Sequence, residues 1–419
     1  MTKKVIIVGG GFGGIKAAKL LGEHPDFFDI ILIDQRNYHL FQPLLYQVAT
    51  AGLSPADIAA PIRGILSEYK NITVLLDKVT SVDPTLKKIQ TQEQPLNYDY
   101  LILACGATHS YFGKDQWEEF APGLKTLEMA TEIRRRILMA FEAAEKETDL
   151  RKQQKCLSFV VVGAGPTGVE MAGAISEIAS QSMKKDFRNV RPSQAKIYLI
   201  EAGPRILASF DEELSTKALF DLKKLKVEVL LDTVVSDING EGVQIKDSSD
   251  GQFIYAKTVI WAAGVKPSPL NAGLKSPMDE SGRLVVTKDL SLPSHPETFV
   301  IGDQAHFALT SDKTLPGLAP VAIQEGACAA KNILRLTNGK PTKPFRYFDK
   351  GQMATIGRKL AVMEYHGLKA SGMLAWLFVH IYYLIGFKNR LVVLFQWAWC
   401  YFTFSRGARL ITKKDWKEN

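Results

Sequence analysis

Val5-Ile6-Ile7-Val8-Gly9-Gly10-Gly11-Phe12-Gly13-Gly14 decides the fold of this chain, and a second copy of its pattern stands at Phe159-Val160-Val161-Val162-Gly163-Ala164-Gly165-Pro166-Thr167-Gly168. Each copy reads as strand, glycine turn and helix start. In such a turn the first glycine permits the tight bend, the second lets backbone N–H groups approach a pyrophosphate, and the third allows close packing of helix on strand. The phosphates then sit at the positive end of the helix. Each copy is followed by a further apolar run that ends in an acid: Ile30-Ile31-Leu32-Ile33-Asp34 and Ile197-Tyr198-Leu199-Ile200-Glu201. A lone glycine fingerprint is often only a turn. Here the strand, the helix and the acid accompany both copies, so the chain is built to hold two dinucleotides and to move electrons between them.

The acid at the end of the second strand accepts a hydrogen bond from a ribose hydroxyl. Asp34 lies 20 residues after Gly14, the expected spacing, and Glu201 lies 33 after Gly168. The polar stretch Ser180 to Ala195, with Pro192, absorbs the difference. A carboxylate at 201 repels a 2′-phosphate and so favours NADH over NADPH, with Arg205 close enough to leave some NADPH use open.

The 419 residues suffice for several cores, and 46% hydrophobic with 23% charged residues is ordinary for a globular protein. Cys105, Cys156, Cys328 and Cys400 are scattered without a C-x-x-C pair, which indicates neither a disulfide framework nor a metal site. With the first strand beginning near residue 3 and no leader before it, the expected location is a reducing cytoplasm. Much of the net charge of +8 gathers at the end, where Lys388, Arg390, Arg406, Arg409, Lys413, Lys414 and Lys417 face only Asp415 and Glu418. These charges flank two aromatic, apolar runs, Ser371 to Phe387 and Leu391 to Phe404. Both are shorter than the roughly 20 residues that span a bilayer. They read as helices lying in the interface of an anionic membrane, rather than as a nucleic-acid surface; a dimer interface, buried core helices or a tilted spanning hairpin are the alternatives.

Thr298-Phe299-Val300-Ile301-Gly302-Asp303 is a strand ending in Gly-Asp. With it the chain resembles the two-dinucleotide-binding-domain flavoproteins, in which such an aspartate binds the ribityl and phosphate part of FAD. Leu101 to Ala107 and Val259 to Gly264 look like that family's strand-to-glycine crossings. The resemblance implies an α/β fold: two Rossmann-like dinucleotide-binding domains, for FAD and NADH, plus a C-terminal helical membrane-anchoring region. Residues 1–115 and 278–345 form the FAD domain on this reading, 116–277 the NADH domain and 346–419 the membrane-interface region. Thr131 to Lys155 reads as one surface helix.

Disulfide reductases of this architecture carry a cysteine pair soon after the first acid. Here Gln35 to Gln47 contains none, so a bound flavin delivers electrons directly. His39 to Gly52, Gly163 to Gly173 and the tail together resemble the type II NADH dehydrogenases, which are single-subunit, membrane-bound NADH:quinone oxidoreductases. The resemblance implies non-covalent FAD, hydride transfer from NADH to flavin N5, and two electrons passed to a membrane quinone; with no ionisable residues along a membrane-spanning path, no proton pumping is expected. It implies FAD contacts at Gly9, Gly11, Phe12, Gly13, Gly14, Asp34, Val79, Ala104, Gly106, Gly302 and Asp303. Val79 reads equally as a core valine. NADH contacts follow at Gly163, Gly165, Pro166, Thr167, Gly168, Glu170, Glu201, Ala263 and Gly264. The family's quinone motif A-Q-x-A-x-Q reads Ala319-Pro320-Val321-Ala322-Ile323-Gln324, with Pro320 in place of the first glutamine. Glu170 and Gln324 are the candidate catalytic residues, Glu170 either relaying protons or only orienting NADH. His380 and Lys350 are weaker candidates, Lys350 reading better as a turn residue. The implied place is the cytoplasmic face of a bacterial inner membrane, peripheral or monotopic, with quinone and anionic lipid as partners and a homodimer open. A sulfide:quinone oxidoreductase using Cys156 and Cys328, a reductase for a ferredoxin-like protein, and an NADH-binding redox sensor with little turnover are the alternatives.

Overall fold

The computed structural model describes residues 2–246, 251–310, 313–357, 360–365, 367–371, 393, 395, 397 and 408–411. The chain divides into two compact units. One comprises residues 1–40, 59–108 and 265–348, the other 41–58, 109–264 and 349–419.

In the first unit a six-stranded sheet runs in the order Ser291–Leu292, His295–Val300, Tyr100–Leu103, Lys3–Val8, Phe28–Asp34, Ile72–Leu76. All neighbours are parallel except the Ser291–Leu292 edge. Val5, Ile6 and Ile7 are fully buried, as a strand covered on both faces requires. The helix Phe12–Gly22 covers one face through Ile15, Ala17, Ala18 and Leu21. The helix Ala319–Thr337 crosses it where Gly326 meets the Gly13 backbone, and a Cβ on Gly326 would clash there. That contact brings the glycine turn and the start of the late helix together. Val79 opens the short strand Val79–Asp83 and is buried.

The second unit repeats the plan with four parallel strands in the order Val227–Leu230, Lys196–Ile200, Ser158–Val162, Thr258–Trp261. Its glycine turn leads into the helix Pro166–Glu177. The single surface helix expected over Thr131–Lys155 is instead two. Leu127–Lys146 buries Ile133, Ile137, Phe141 and Ala144, and Leu150–Cys156 follows after a break. Asp149 makes the break, because its carboxylate accepts the Arg151 and Lys152 N–H groups and restarts a helix there.

Part of the 346–419 region, expected to be helical, is a three-stranded antiparallel sheet of Gln352–Ile356, Leu360–Tyr365 and Leu368–Ser371. Gly351, Gly357 and Gly367 all adopt positive φ around these strands and punctuate them. Lys350 lies in a turn closed by Gly351 N–H donating to Asp349. The two interfacial helices, His380 and most of the basic flank lie outside the described residues, apart from Val393, Phe395 and Trp397, which are helical, and Arg409. Among the described residues no helix is long and apolar enough to cross a membrane.

Candidate active site

The two glycine turns have one geometry. Gly9 takes φ +107° and Gly163 φ +98°, a region L residues rarely adopt. Gly9 N–H donates to Ile33 O at 2.8 Å and Gly163 N–H to Ile200 O at 2.7 Å. Ala104 N–H donates to Val8 O, and its counterpart Ala262 to Val162 O, at 2.8 and 2.7 Å. The structural partner of Ala104 in the second unit is therefore Ala262, the residue before Ala263. Ala263 lies against Gly163 all the same, its N 2.7 Å from where a Gly163 Cβ would stand. Gly106 and Gly264, which end the crossings, take φ +68° and +77°.

The acids latch the turns. Asp34 Oδ2 accepts Gly10 N–H at 2.6 Å and Oδ1 accepts Arg36 N–H at 2.7 Å. Glu201 repeats this with Ala164 N–H at 2.7 Å and Gly203 N–H at 3.0 Å. Burial pushes the Asp34 carboxyl up, and the two N–H donors pull it back toward the charged form. A carboxylate has about four acceptor sites, so each acid keeps capacity for ribose hydroxyls. Arg205 is turned onto Ala208 O at 2.7 Å.

Both turns fit a pyrophosphate. Gly11 and Gly165 cap their helices without a side-chain bond, and neither first turn contains an acid. Where their Cβ atoms would stand there is nothing within 4 Å. Each helix thus presents backbone donors and a positive end to open space.

In the first unit a further acid supports the cradle. Glu325 is 1% exposed, and its Oε2 accepts Gly302 N–H at 2.6 Å. Burial pushes its carboxyl up to about 8, against the pull of that bond. It fixes the turn that carries Asp303, whose carboxyl packs on Gly317. On the same helix Pro320 occupies the first turn, where a missing N–H costs no helical bond. Ala322 lies over Gly13, and a Gly13 Cβ would stand 2.9 Å from its carbonyl. Gln324 has both ends of its amide on Phe348: Nε2 donates to Phe348 O at 2.9 Å and Oε1 accepts Phe348 N–H at 3.0 Å.

The second unit holds a polar chain around Glu170, one turn into the Pro166–Glu177 helix. Glu170 Oε1 accepts both Thr355 N–H and Thr355 Oγ1–H at 3.3 Å. Thr355 Oγ1 lies 3.0 Å from the Tyr46 hydroxyl, and Gln47 Nε2 donates to that hydroxyl at 3.0 Å. Trp397 Nε1–H donates to Gln47 Oε1 at 2.7 Å. Trp397 donates to Gln47 and Gln47 to Tyr46, while the single Thr355 hydroxyl proton is shared between the Tyr46 hydroxyl and the Glu170 carboxylate. With Glu170 protonated, the Thr355 hydroxyl is free to donate to Tyr46. Burial pushes Glu170 up to about 8, the Thr355 donors acting in the opposite sense. Burial, reinforced by the Glu170 charge, pushes the Tyr46 phenol well above its usual range.

Burial pushes Cys328 up to about 11, and Cys156 upward as well, the reverse of what a redox thiolate needs.

Residues 3–326 match the family described as pyridine nucleotide-disulphide oxidoreductase. Two type II NADH:quinone oxidoreductases of Mycobacterium tuberculosis are each 42% identical over 98% of this chain, which covers 90% and 91% of their lengths. One from Staphylococcus haemolyticus is 31% identical over 88% of this chain and 91% of its own. The chain belongs to the type II NADH:quinone oxidoreductases. Its fold is that of NDH2 from Plasmodium falciparum, solved in complex with NADH, at a TM-score of 0.87 and 21% identity over 99% of this chain and 100% of that one.

The structure adds three side chains that the motifs do not mark. Glu325 follows Gln324 directly, and a lone acid inside an Ala-rich helix was the available signal. Tyr46 sat inside the quoted loop, but nothing local tied it to Glu170. Thr355 lies on a strand that the tail's aromatic pattern obscured.

Proposed function

We propose that this protein oxidises NADH and passes the electrons to a membrane quinone through bound FAD, held by the unit of residues 1–40, 59–108 and 265–348, with NADH on the other unit. The observation that carries this reading is a pair of complete nucleotide cradles with no cysteine between Asp34 and the end of the following loop at Ile58. Bound FAD supplies the capacity to accept a hydride and release two electrons.

The chain's own part is positioning and proton supply. The Pro166–Glu177 helix start receives the NADH pyrophosphate, and Glu201 takes the ribose hydroxyls and repels a 2′-phosphate. The commitment of Arg205 to Ala208 supports NADH over NADPH. Hydride brings two electrons and one proton, so forming a quinol consumes one proton more. Glu170 holds that proton at neutral pH, and the Tyr46 and Thr355 hydroxyls give it a route. The quinone pocket draws on Ala319, Pro320, Ala322, Ile323 and Gln324. Since Phe348 already engages the Gln324 amide, Gln324 serves there as a fixed wall.

The bond from Trp397 to Gln47 supports a role for the aromatic tail in holding this region. We place the protein on a membrane surface through that basic, aromatic tail, at the cytoplasmic face, with a homodimer compatible. Steady-state NADH oxidation with quinones of differing head group, run beside NADPH, tests the activity. Pelleting with anionic vesicles tests the membrane role. Turnover with NADPH equal to that with NADH, or no pelleting, contradicts the respective part.

A further inference from the structure

Phe112 is held in a backbone conformation that its side chain disfavours. Its φ is +51°, and among the described residues it is the one aromatic residue in the left-handed region. Leu207 and Leu290 share that region but are buried and held there by packing, whereas Phe112 is 70% exposed. Such strain persists only where the surroundings impose it, and it gathers at ligand contacts.

Here the surroundings are specific. Phe112 N–H donates to Ser110 Oγ at 3.3 Å, Ser110 N–H donates to Gly264 O at 3.3 Å, and Trp261 Nε1–H donates to Ser110 O at 2.9 Å. The Phe112 ring stands 6.2 Å from that of Trp261, which packs in turn on Tyr111 and Trp117. Those three are buried, so Phe112 is the exposed end of a fixed aromatic cluster. Gly113, at φ +83°, completes the turn that presents it. The tip of the ring lies on Gly264, with Cζ 2.6 Å from where a Gly264 Cβ would stand. All of these contacts lie within one unit.

The order of the strands decides what reaches this place. Glu201 follows the strand Lys196–Ile200, on one side of Ser158–Val162. Thr258–Trp261 lies on the other side and leads to Gly264. A dinucleotide lies across the C-terminal ends of such strands. With its adenosine ribose at Glu201 and its pyrophosphate at the start of the Pro166–Glu177 helix, NADH extends its other half over Ala263 and Gly264. Ala263 lies against Gly163 in the glycine turn, and the Phe112 ring stands one residue further on. That other half is a sugar bearing a planar ring, and an open aromatic face suits both.

We propose that Phe112 is the wall against which the nicotinamide riboside of NADH packs. This rests on the placing of NADH on this unit. Phe112 is a positioning residue for the hydride donor and takes no part in the transfer itself.

Phe112→Gly separates this role from a structural one, because glycine relieves the left-handed backbone while removing the wall. The readouts, on the full-length protein with FAD bound, are the Kd for NADH from stopped-flow flavin reduction, the inhibition constant of ADP, and thermal unfolding. ADP carries the adenosine and pyrophosphate but no nicotinamide riboside. The expected result is NADH binding about 10-fold weaker in Phe112→Gly, the worth of one aromatic contact, with ADP inhibition unchanged and thermal stability no lower than wild type. Phe112→Tyr keeps the ring and should keep NADH affinity. Unchanged NADH affinity in Phe112→Gly overturns the proposal. So does an equal weakening of NADH and ADP, which would mark a general distortion of the cradle. Wild-type flavin that NADH does not reduce would instead overturn the placing of NADH itself.

Discussion

Replacing Glu170 with glutamine should stabilise the protein, and by an amount that depends on pH. The folded carboxyl titrates at about 8 against 4.5 for an exposed glutamate, because burial outweighs the Thr355 donors. The sign follows from proton counts. Below the unfolded value both states are protonated, and the shift costs nothing. As pH rises through the window between 4.5 and about 8, the unfolded chain ionises first, so the folded wild type loses stability by up to about 1.4 kcal/mol per pH unit. Over the whole window this reaches at most about 5 kcal/mol, and solvent reaching the partly open side chain lowers it. Glutamine does not titrate, and its carbonyl oxygen keeps the Thr355 bonds. Paired thermal or urea unfolding of wild type and Glu170→Gln, from pH 5 to 9, should show an advantage for the variant that grows with pH and levels off above 8. Glu325, with its own carboxyl raised to about 8, titrates in the same window but is common to both proteins and cancels in the difference. The same variant should lose about 100-fold or more in quinone-dependent turnover, the usual worth of a positioned proton donor. A stability difference that stays constant across the range would refute the claim that Glu170 is held protonated at neutral pH.

Other substitutions probe the remaining parts. Tyr46→Phe removes the middle hydroxyl of the chain. Stopped-flow flavin reduction by NADH should be unchanged, while quinone turnover falls and its solvent isotope effect changes. Glu325→Ala leaves Gly302 N–H unsatisfied, and unfolding measurements should show a loss of about 1–3 kcal/mol together with weaker FAD retention. Gly9→Ala places a methyl group against the Ala104 carbonyl at a φ of +107°, so the purified protein should lack the flavin absorption band. Glu201→Ala should narrow the preference for NADH over NADPH, read as a ratio of kcat/KM values, and an unchanged ratio would remove Glu201 from cofactor choice.

The nucleotide folds were legible because their signal is local. An apolar run, a glycine turn and an acid a set distance on leave little freedom, and both sets of strands, helices and latches lie where Gly9 and Gly163 pointed. Even the longer gap before Glu201 reads correctly, with a π-helical turn at Ile178–Ser182 and a short 3-10 turn at Pro192–Gln194 filling the polar stretch. The rest was hidden for identifiable reasons. Gln352–Ile356 mixes polar and apolar residues over too few positions to show a period, and its neighbouring aromatic tail dominated the reading of 346–419. The break at Glu147–Asp149 was lost because a charged helix surface and a charged cap look alike until the Asp149 bonds are seen. The Glu170 chain joins residues about 185 and 309 positions apart in sequence, a juxtaposition no spacing rule reveals. Gln324 shows the converse: the motif marked the residue, but only the structure shows its amide bound to Phe348.

The most direct test of the whole account is a double-mixing stopped-flow experiment on the full-length protein with FAD bound and a quinone in lipid vesicles. NADH should bleach the flavin absorption band, and quinone added next should restore it at a rate no slower than steady-state turnover. Rapid bleaching by NADH with no recovery on adding quinone would contradict the account and leave an NADH-binding redox sensor in its place.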